Sequence, residues 1–281
     1  MTEATVENIY YLGPDGSNTY FAMQKFIEKS NIKVINKLPQ KSIKSALENF
    51  AKDFSSICIL PVENSIEGIV RETIDNFLIF NDNSIQIYGE ITIPINHMLL
   101  SKGNHKITKI YSHPQALAQC SAYLYKNFPD AELKDVSSTS YAAQRVAEGE
   151  PDSAAIANET CAELFGLDVI ANNINDEQGN KTRFYILGRK EIIKPNEGKT
   201  AIMLSTKNKY GALCAVLQIF AKHNINMSCI ESRPSKKKLG EYVFFIELDG
   251  LKQEYGMSLA LDEIMSYADF VKILGSFQEF K

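Results

Sequence analysis

Apolar and polar positions along the first two thirds of the chain switch repeatedly between two periods. Residues 8–12 form a short apolar run that stops at Gly13-Pro14-Asp15-Gly16, a combination that turns the chain. Residues 17–29 then place Tyr20, Phe21, Met23, Phe26 and Ile27 on one side of a helix. The same reading predicts a strand at 32–35, a helix at 41–50 and a buried strand at 56–60 that Pro61 stops. Past Gly68, the residues Ile69, Thr73, Phe77 and Phe80 fall at helical spacing, and 85–95 alternates as a strand does.

The pattern restarts with strands at 110–112 and 131–136, helices at 115–128 and 138–147, and further strands at 153–157 and 182–187. Such alternation predicts an α/β region of parallel sheets covered by helices. Its two clusters, joined near 93–101 and again near 172–181, predict two lobes, 8–95 plus 180–188 and 96–179, with a ligand cleft between them. Residues 189–199 are charged and broken by Pro and Gly, and read as a linker. Beyond them the order strand 200–205, helix 211–223, strands 225–231 and 241–248, helix 258–267 and strand 270–274 is the βαββαβ pattern of a ferredoxin-like module, spanning 200–276.

Composition narrows the class of function. The chain has 281 residues, 44% hydrophobic and 23% charged, with a net charge of −4, so it lacks the basic face of a nucleic-acid binder. The run Lys236-Lys237-Lys238 sits among Ser, Leu and Gly and reads as a solvated hairpin loop. The start of the chain is polar and acidic, unlike a secretory leader, and no stretch approaches the ~18 apolar residues of a membrane helix. Five scattered cysteines without a C-x-x-C pair point to a reducing compartment, the cytoplasm, and against structural zinc.

Three polar motifs lie at strand ends, where α/β sheets bind ligands. Pro61-Val62-Glu63-Asn64-Ser65-Ile66-Glu67-Gly68 joins a buried strand to a helix; Asn64 and Ser65 either face the crevice or cap the helix. Ser112-His113-Pro114-Gln115 sits similarly in the second cluster, with Gln119 one turn beyond Gln115. There His113 is a general base or a capping scaffold, and Gln119 orients a ligand without titrating. Asn180-Lys181-Thr182-Arg183-Phe184 opens a strand: Thr182 offers a hydroxyl, Phe184 an apolar wall, and Arg183 a fork for carboxylates or a structural ion pair. In the C-terminal module, Gly211-Ala212-Leu213 opens a helix whose free N–H groups suit an anion, and Glu231-Ser232-Arg233-Pro234 ends a strand.

Taken in order, Leu12-Gly13-Pro14, PVENSIEG, SHPQALAQC, NKTRF, GALC and ESRP resemble prephenate dehydratase with a C-terminal ACT domain over nearly the whole chain. The resemblance implies two α/β lobes, a periplasmic-binding-protein-like catalytic region, followed by the ACT module. It also implies loss of water and carbon dioxide from prephenate to give phenylpyruvate in phenylalanine biosynthesis, with allosteric control by phenylalanine. With no chorismate mutase segment before Gly13, the chain resembles the monofunctional form.

Carried over by position, Thr182 is the catalytic residue, and Asn64, Ser112 and Gln119 line the site with Arg183 and Phe184 beside them. Gly211, Ala212, Leu213 and Asn226 match one part of the phenylalanine site; Glu231, Ser232, Arg233 and Pro234 match the other. The elimination requires no metal, flavin or nicotinamide. Partners by resemblance are prephenate, phenylalanine and copies of the same chain in a homodimer or homotetramer.

Departures from the family pattern are Ser17-Asn18 where it has Thr-Phe, Tyr210 in place of Pro, Cys214 in place of Val and Asn224 in place of Gly. Two rivals stand beside this reading. Arogenate dehydratase performs the same elimination on the transaminated substrate; a non-catalytic amino-acid-binding protein would also have two lobes and a cleft.

Overall fold

The structure, a computed structural model, describes residues 4–30, 32–80, 82–103, 105–150, 152–189, 195–236, 238 and 240–281. The first sheet grows from β1 (Ala4–Leu12), β2 (Ile32–Gln40) and β3 (Ser56–Asn64), all parallel, with α1 (Asn18–Ser30) and α2 (Ile43–Lys52) as crossovers. Ser42 caps α2 and exchanges hydrogen bonds with Ser45, so the helix starts where the polar pair precedes its apolar face. The short β4 (Gly68–Ile69) folds back on β3 before α3 (Arg71–Ile79) and β5 (Gln86–Pro94).

The chain then leaves for a second sheet of β6 (Met98–Ser101), β7 (Lys109–Ser112), β8 (Glu132–Asp135), β9 (Ser153–Ala157) and β10 (Asp168–Ala171), in the order β10-β6-β9-β7-β8. Its helices are α4 (Pro114–Gln119), α5 (Ser121–Asn127), α6 (Thr139–Ala147) and α7 (Glu159–Phe165). The helix expected at 115–128 is two helices, broken at Cys120. The break frees the amides of Ala122 and Tyr123 for the Asp176 carboxylate, which caps α5. A return segment beside residues 95–97, held by bonds from Ile174 N to His97 O and from Ile95 N to Asn180 O, brings the chain back as β11 (Lys181–Gly188).

β11 inserts antiparallel between β3 and β5, so the sheet is mixed rather than parallel as expected. The second sheet is mixed too, because β6 runs antiparallel to β9 and β10. β6 and β10 are short apolar runs that the alternation did not single out. Of the expected linker, residues 190–194 lie outside the described residues. Arg189 is no free linker residue: its guanidinium donates to the carbonyls of Phe50, Ala51 and Asp53, pairs with Asp82 at 2.8 Å and stacks on Phe54.

The C-terminal module runs β12 (Lys199–Ser205), α8 (Ala212–Lys222), β13 (Met227–Pro234), β14 (Tyr242–Asp249), α9 (Tyr255–Tyr267) and β15 (Phe270–Glu279), with sheet order β13-β14-β12-β15. This is the expected ferredoxin-like arrangement, but it is not a detached bead. β15 runs five residues past the expected end at 274 and pairs parallel with β5 through Gln278 and Glu279, fusing the two sheets into one of ten strands. Gly275, at φ +144°, permits this: any Cβ there would collide with the Ile87 carbonyl. One apolar core accordingly spans both regions, with Phe50, Leu60 and Tyr185 packed with Ala201, Met203, Phe245 and Phe277. Among the described residues, no helix is long and apolar enough to cross a membrane.

Candidate active site

A cleft of about 1250 Å³ opens between the lobes, lined by Asn64, His97, His113, Gln115, Gln119, Asn180, Thr182 and Phe184, among others. Its far edge is tied across by the Gly13–Gly16 turn, whose Asp15 carbonyl accepts from Ser140 and whose Gly16 carbonyl accepts from Asn158 at 3.0 Å. Ser17 and Asn18, the departures from the family pattern, are polar for a local reason. Ser17 Oγ accepts from Tyr20 N and starts α1, and Asn18 Oδ1 accepts from Asn158 Nδ2 at 3.0 Å.

The proton positions around Thr182 follow from a chain of amides whose origin is unambiguous. Asn64 stands directly across from Thr182 in the β3–β11 ladder. Its Oδ1 accepts the backbone N–H groups of Ile66 and Glu67, both at 3.0 Å. Backbone amides can only donate, so the side-chain NH2 must face the other way. There it donates to Thr182 Oγ1 at 2.9 Å and to Asn180 Oδ1 at 2.8 Å. Asn180 Nδ2 in turn faces Gln119 Oε1 at 3.5 Å, which also contacts His97 Nε2 at 2.9 Å. Burial lowers the pKa of His97, so the ring is neutral near pH 7, and the network assigns its proton to Nε2.

Because Thr182 Oγ1 already accepts a bond, its own proton is free for the cleft, as are the Gln119 NH2 protons. Both residues line the cleft, and among the described residues neither donates a recorded hydrogen bond. The site thus presents two neutral donors.

Of the residues singled out in the sequence, Asn64, His113, Gln119, Thr182 and Phe184 reach the cleft together. His113 caps α4, its Nδ1 accepting from Gln115 N at 3.3 Å. Ser65, Ser112 and Arg183 do not line it. Ser65 Oγ is spent on Lys181 N and Asn180 Oδ1. Ser112 is fully buried and donates to the Ile156 carbonyl at 2.7 Å.

Arg183 follows Thr182 on a strand, so it points to the opposite face. There it donates to Glu63, Glu90 and Glu247 at 2.6–3.1 Å. The expected carboxylate fork is therefore a structural ion cluster. The cations that do line the cleft, leaving histidines aside, are Lys41 and Arg71; no motif marks either. His97 and Asn180 line the cleft as well; no motif marks His97, and Asn180 opens the same motif as Thr182.

In the C-terminal module, Gly211 adopts a left-handed conformation (φ 74°) at the start of α8. Ala212 and Leu213 line a second hollow of about 780 Å³ shared with Leu78 and Ile79 of α3. Asn226 is bonded to Asp249 at 2.6 Å. Glu231, Ser232, Arg233 and Pro234 do not line that hollow. They lie on β13, an edge of the sheet, with Arg233 paired to Asp75 of α3 at 2.7 Å. A single chain therefore does not bring the two parts together.

The family model described as prephenate dehydratase matches residues 9–192, and the ACT domain model matches residues 200–254. The chain belongs to the prephenate dehydratase family. It is 38% identical to the bifunctional chorismate mutase/prephenate dehydratase of Aquifex aeolicus, over 96% of this chain and 73% of that protein. It is 35% identical to the prephenate dehydratase of Lactococcus lactis subsp. cremoris, over 96% of each. The crystal structure of the Arthrobacter aurescens prephenate dehydratase in complex with L-Phe superposes with a TM-score of 0.86 at 29% identity, covering 96% of this chain and 90% of that one. A second structure of the same overall shape, GqqA, described as a novel type of quorum quenching acylase, gives 0.83 at 25% identity, covering 96% and 97%. Dehydratase motifs and the ACT module thus occur here in the family's order, on the family's fold.

Proposed function

We propose that the protein converts prephenate to phenylpyruvate, with Thr182 as the donor to the departing oxygen, and that phenylalanine bound at the ACT module controls it. Prephenate has two carboxylates and a ring hydroxyl opposite its quaternary carbon. The bond from that carbon to its carboxylate breaks, and the pair enters the ring as CO2 departs. The C–O bond at the opposite carbon breaks, and the oxygen leaves with its pair and takes up a proton as water. The ring becomes aromatic, so the task is to stabilise the oxygen and hold the geometry.

One observation carries the reading: Asn64 donates to Thr182 Oγ1, and the Thr182 hydroxyl, on a residue that lines the cleft, has no protein acceptor among the described residues. Threonine is too weak an acid to protonate hydroxide's precursor in advance, so it acts by hydrogen bonding as charge develops. Gln119 holds a second donor, and Phe184 walls the ring. Arg71 and Lys41 attract the carboxylates, helped by the N-terminal ends of α1 and α6 at Asn18 and Thr139. The geometry disfavours acyl transfer through Thr182: its neighbour is an amide, whereas a nucleophilic hydroxyl needs a base within reach.

Phenylalanine control follows from the module and from the L-Phe complex of the relative. The outer edge of β13, which pairs with no strand among the described residues, supports pairing of modules between copies, in a dimer or tetramer. Five free cysteines, of which Cys58, Cys120 and Cys161 are buried, suit a reducing cytoplasm.

Incubation with prephenate, followed by phenylpyruvate absorbance with and without phenylalanine, tests the assignment. Product formation that phenylalanine changes is expected. No product, or turnover of arogenate alone, would overturn it.

A further inference from the structure

The ion cluster behind β11 has one member whose presence the catalytic region does not explain. Glu63 and Glu90 come from β3 and β5, the strands that flank β11. Glu247 comes from β14 of the ACT module, which does not neighbour β11 in the sheet. Its side chain is 1% exposed, and both its oxygens lie against Arg183 Nη1, Oε1 at 2.8 Å and Oε2 at 2.9 Å. It also accepts from the hydroxyl of Tyr185, whose pKa burial and the neighbouring Glu247 hold well above the ordinary phenol value.

A carboxylate is costly to bury until its contacts offset the lost hydration. The cluster does not need Glu247 for balance. Glu63, Glu90 and Glu247 face two cations, Arg183 and Lys199, for a formal charge of −1; without Glu247 the remaining four groups sum to zero.

What Glu247 supplies is direction. The β11–β3 ladder shifts register between Arg183 and Phe184, so on that side the backbone pairing is irregular one residue from Thr182, while the β11–β5 ladder stays in register there. Opposite the cleft, three strands grip Arg183 through its side chain at that same irregularity. Thr182 and Arg183 share a peptide unit, so a guanidinium fixed behind the strand fixes the backbone from which the cleft hydroxyl projects.

We propose that Glu247, contributed by the ACT module, is a positioning residue for Thr182, acting through Arg183 to set the direction of the catalytic hydroxyl. This rests on the reading that Thr182 is the donor. The regulatory module is then part of the wall that holds the active site, not only a sensor attached to it.

The test uses the full chain and the variant Glu247→Gln. The substitution conserves volume and brings the cluster to neutrality. Either orientation of the new amide sets an NH2 against Arg183 Nη1, donor to donor, and displaces the guanidinium. A misplacement near 1 Å at a reacting group can cost on the order of 10²-fold in rate. We expect kcat, measured well below the melting temperature that the buried mismatch lowers, to fall at least tenfold with KM within about twofold of the parent.

The deciding readout is Glu247→Gln in the Thr182→Ala background. With no hydroxyl left to aim, kcat should equal that of Thr182→Ala alone. Glu247→Asp, which keeps the charge but shortens the reach, provides the same comparison should the amide variant not fold.

An unchanged kcat in a folded Glu247 variant, or the same fold-loss with and without Thr182, would overturn the positioning role and leave the proposed reaction standing. A parent protein inactive on prephenate, or a fully active Thr182→Ala, would instead remove the reading beneath it.

Discussion

The two faces of β11 differ as much as any two regions of the molecule. Toward the cleft, Thr182 and Phe184 stand among amides and a neutral imidazole; behind it, Arg183 and Tyr185 are enclosed by three carboxylates. Behind the strand, protein groups meet protein groups, and the low dielectric strengthens each bond. On the cleft side, two donors are left over. Fixed charge is thus placed where rigidity is required, and neutral donors face the bond that breaks. A permanent cation beside Thr182 would grip the substrate's carboxylates as strongly before the transition state as in it, which lowers KM without raising kcat.

The sharpest way to break this contrast is to strip the charged face. Arg183→Ala leaves three carboxylates with Lys199 as the remaining cation, and breaking a buried pair on one side costs about 3–5 kcal/mol. Urea denaturation should register that loss as a lower midpoint. A variant as stable as the parent would show that the cluster contributes nothing net.

Thr182→Ala is the complementary change on the cleft face. It should leave folding near normal and lower kcat by 10²–10³-fold, the about 2.7–4 kcal/mol of one lost donor, with much of the rate kept in Thr182→Ser. Single-turnover kinetics separate that effect from product release, and a near-parental rate for Thr182→Ala would end its role.

The contrast between the faces was half legible in the sequence. Asn64, His113 and Gln119 could be found because they follow buried strands and Thr182 because it opens one, and strand ends open on the cleft. Arg183 shares a motif with Thr182, which suggests a shared site, although strand alternation forbids both on one face. The period-2 pattern that located the strand held that answer.

Ser112 misled for the opposite reason. A serine at a strand end reads as a site residue, but nothing local reveals that the Ile156 carbonyl would claim it. His97 carries no motif and Asn180 only opens one, and their roles exist only once residues 95–97 and 172–180 are brought side by side. The same holds for Glu247, whose hydrogen-bond partners Arg183 and Tyr185 lie 64 and 62 positions away in the chain. β15 outran its expected end because a glycine, which usually reads as a strand stop, here lets the chain press on β5.

A smaller effect tests where the substrate's charge is met, given that Arg183 is unavailable. Arg71 is exposed at the cleft edge and begins α3, so it stands at the positive end of a helix dipole and gains nothing from its own helix. Arg71→Gln should raise KM for prephenate several-fold, up to about tenfold or 1.4 kcal/mol, and leave kcat in place. KM should also respond less to added salt than in the parent. An equal salt response in both proteins would assign the attraction to Lys41 or the helix ends instead.

The smallest effect concerns the end of the neutral chain. Burial holds the pKa of His97 below its ordinary value of about 6.5. The unfolded ring therefore takes up a proton at a pH where the folded ring still refuses it. Stability is complete above about pH 6.5 and is lost as the pH falls through the depressed folded value. Asp75 and Asp82 do not interfere. The hydrogen bond from Arg233 to the one and from Ser84 to the other lower their pKa values, so both titrate in a more acidic range. Melting temperatures measured from pH 7.5 down to 5 should fall more steeply for the parent than for His97→Gln, which keeps a donor toward Gln119 but cannot charge. Parallel curves would mean that the ring is not the group taking up the proton, and that the cleft's neutrality at its second-lobe end does not depend on burial.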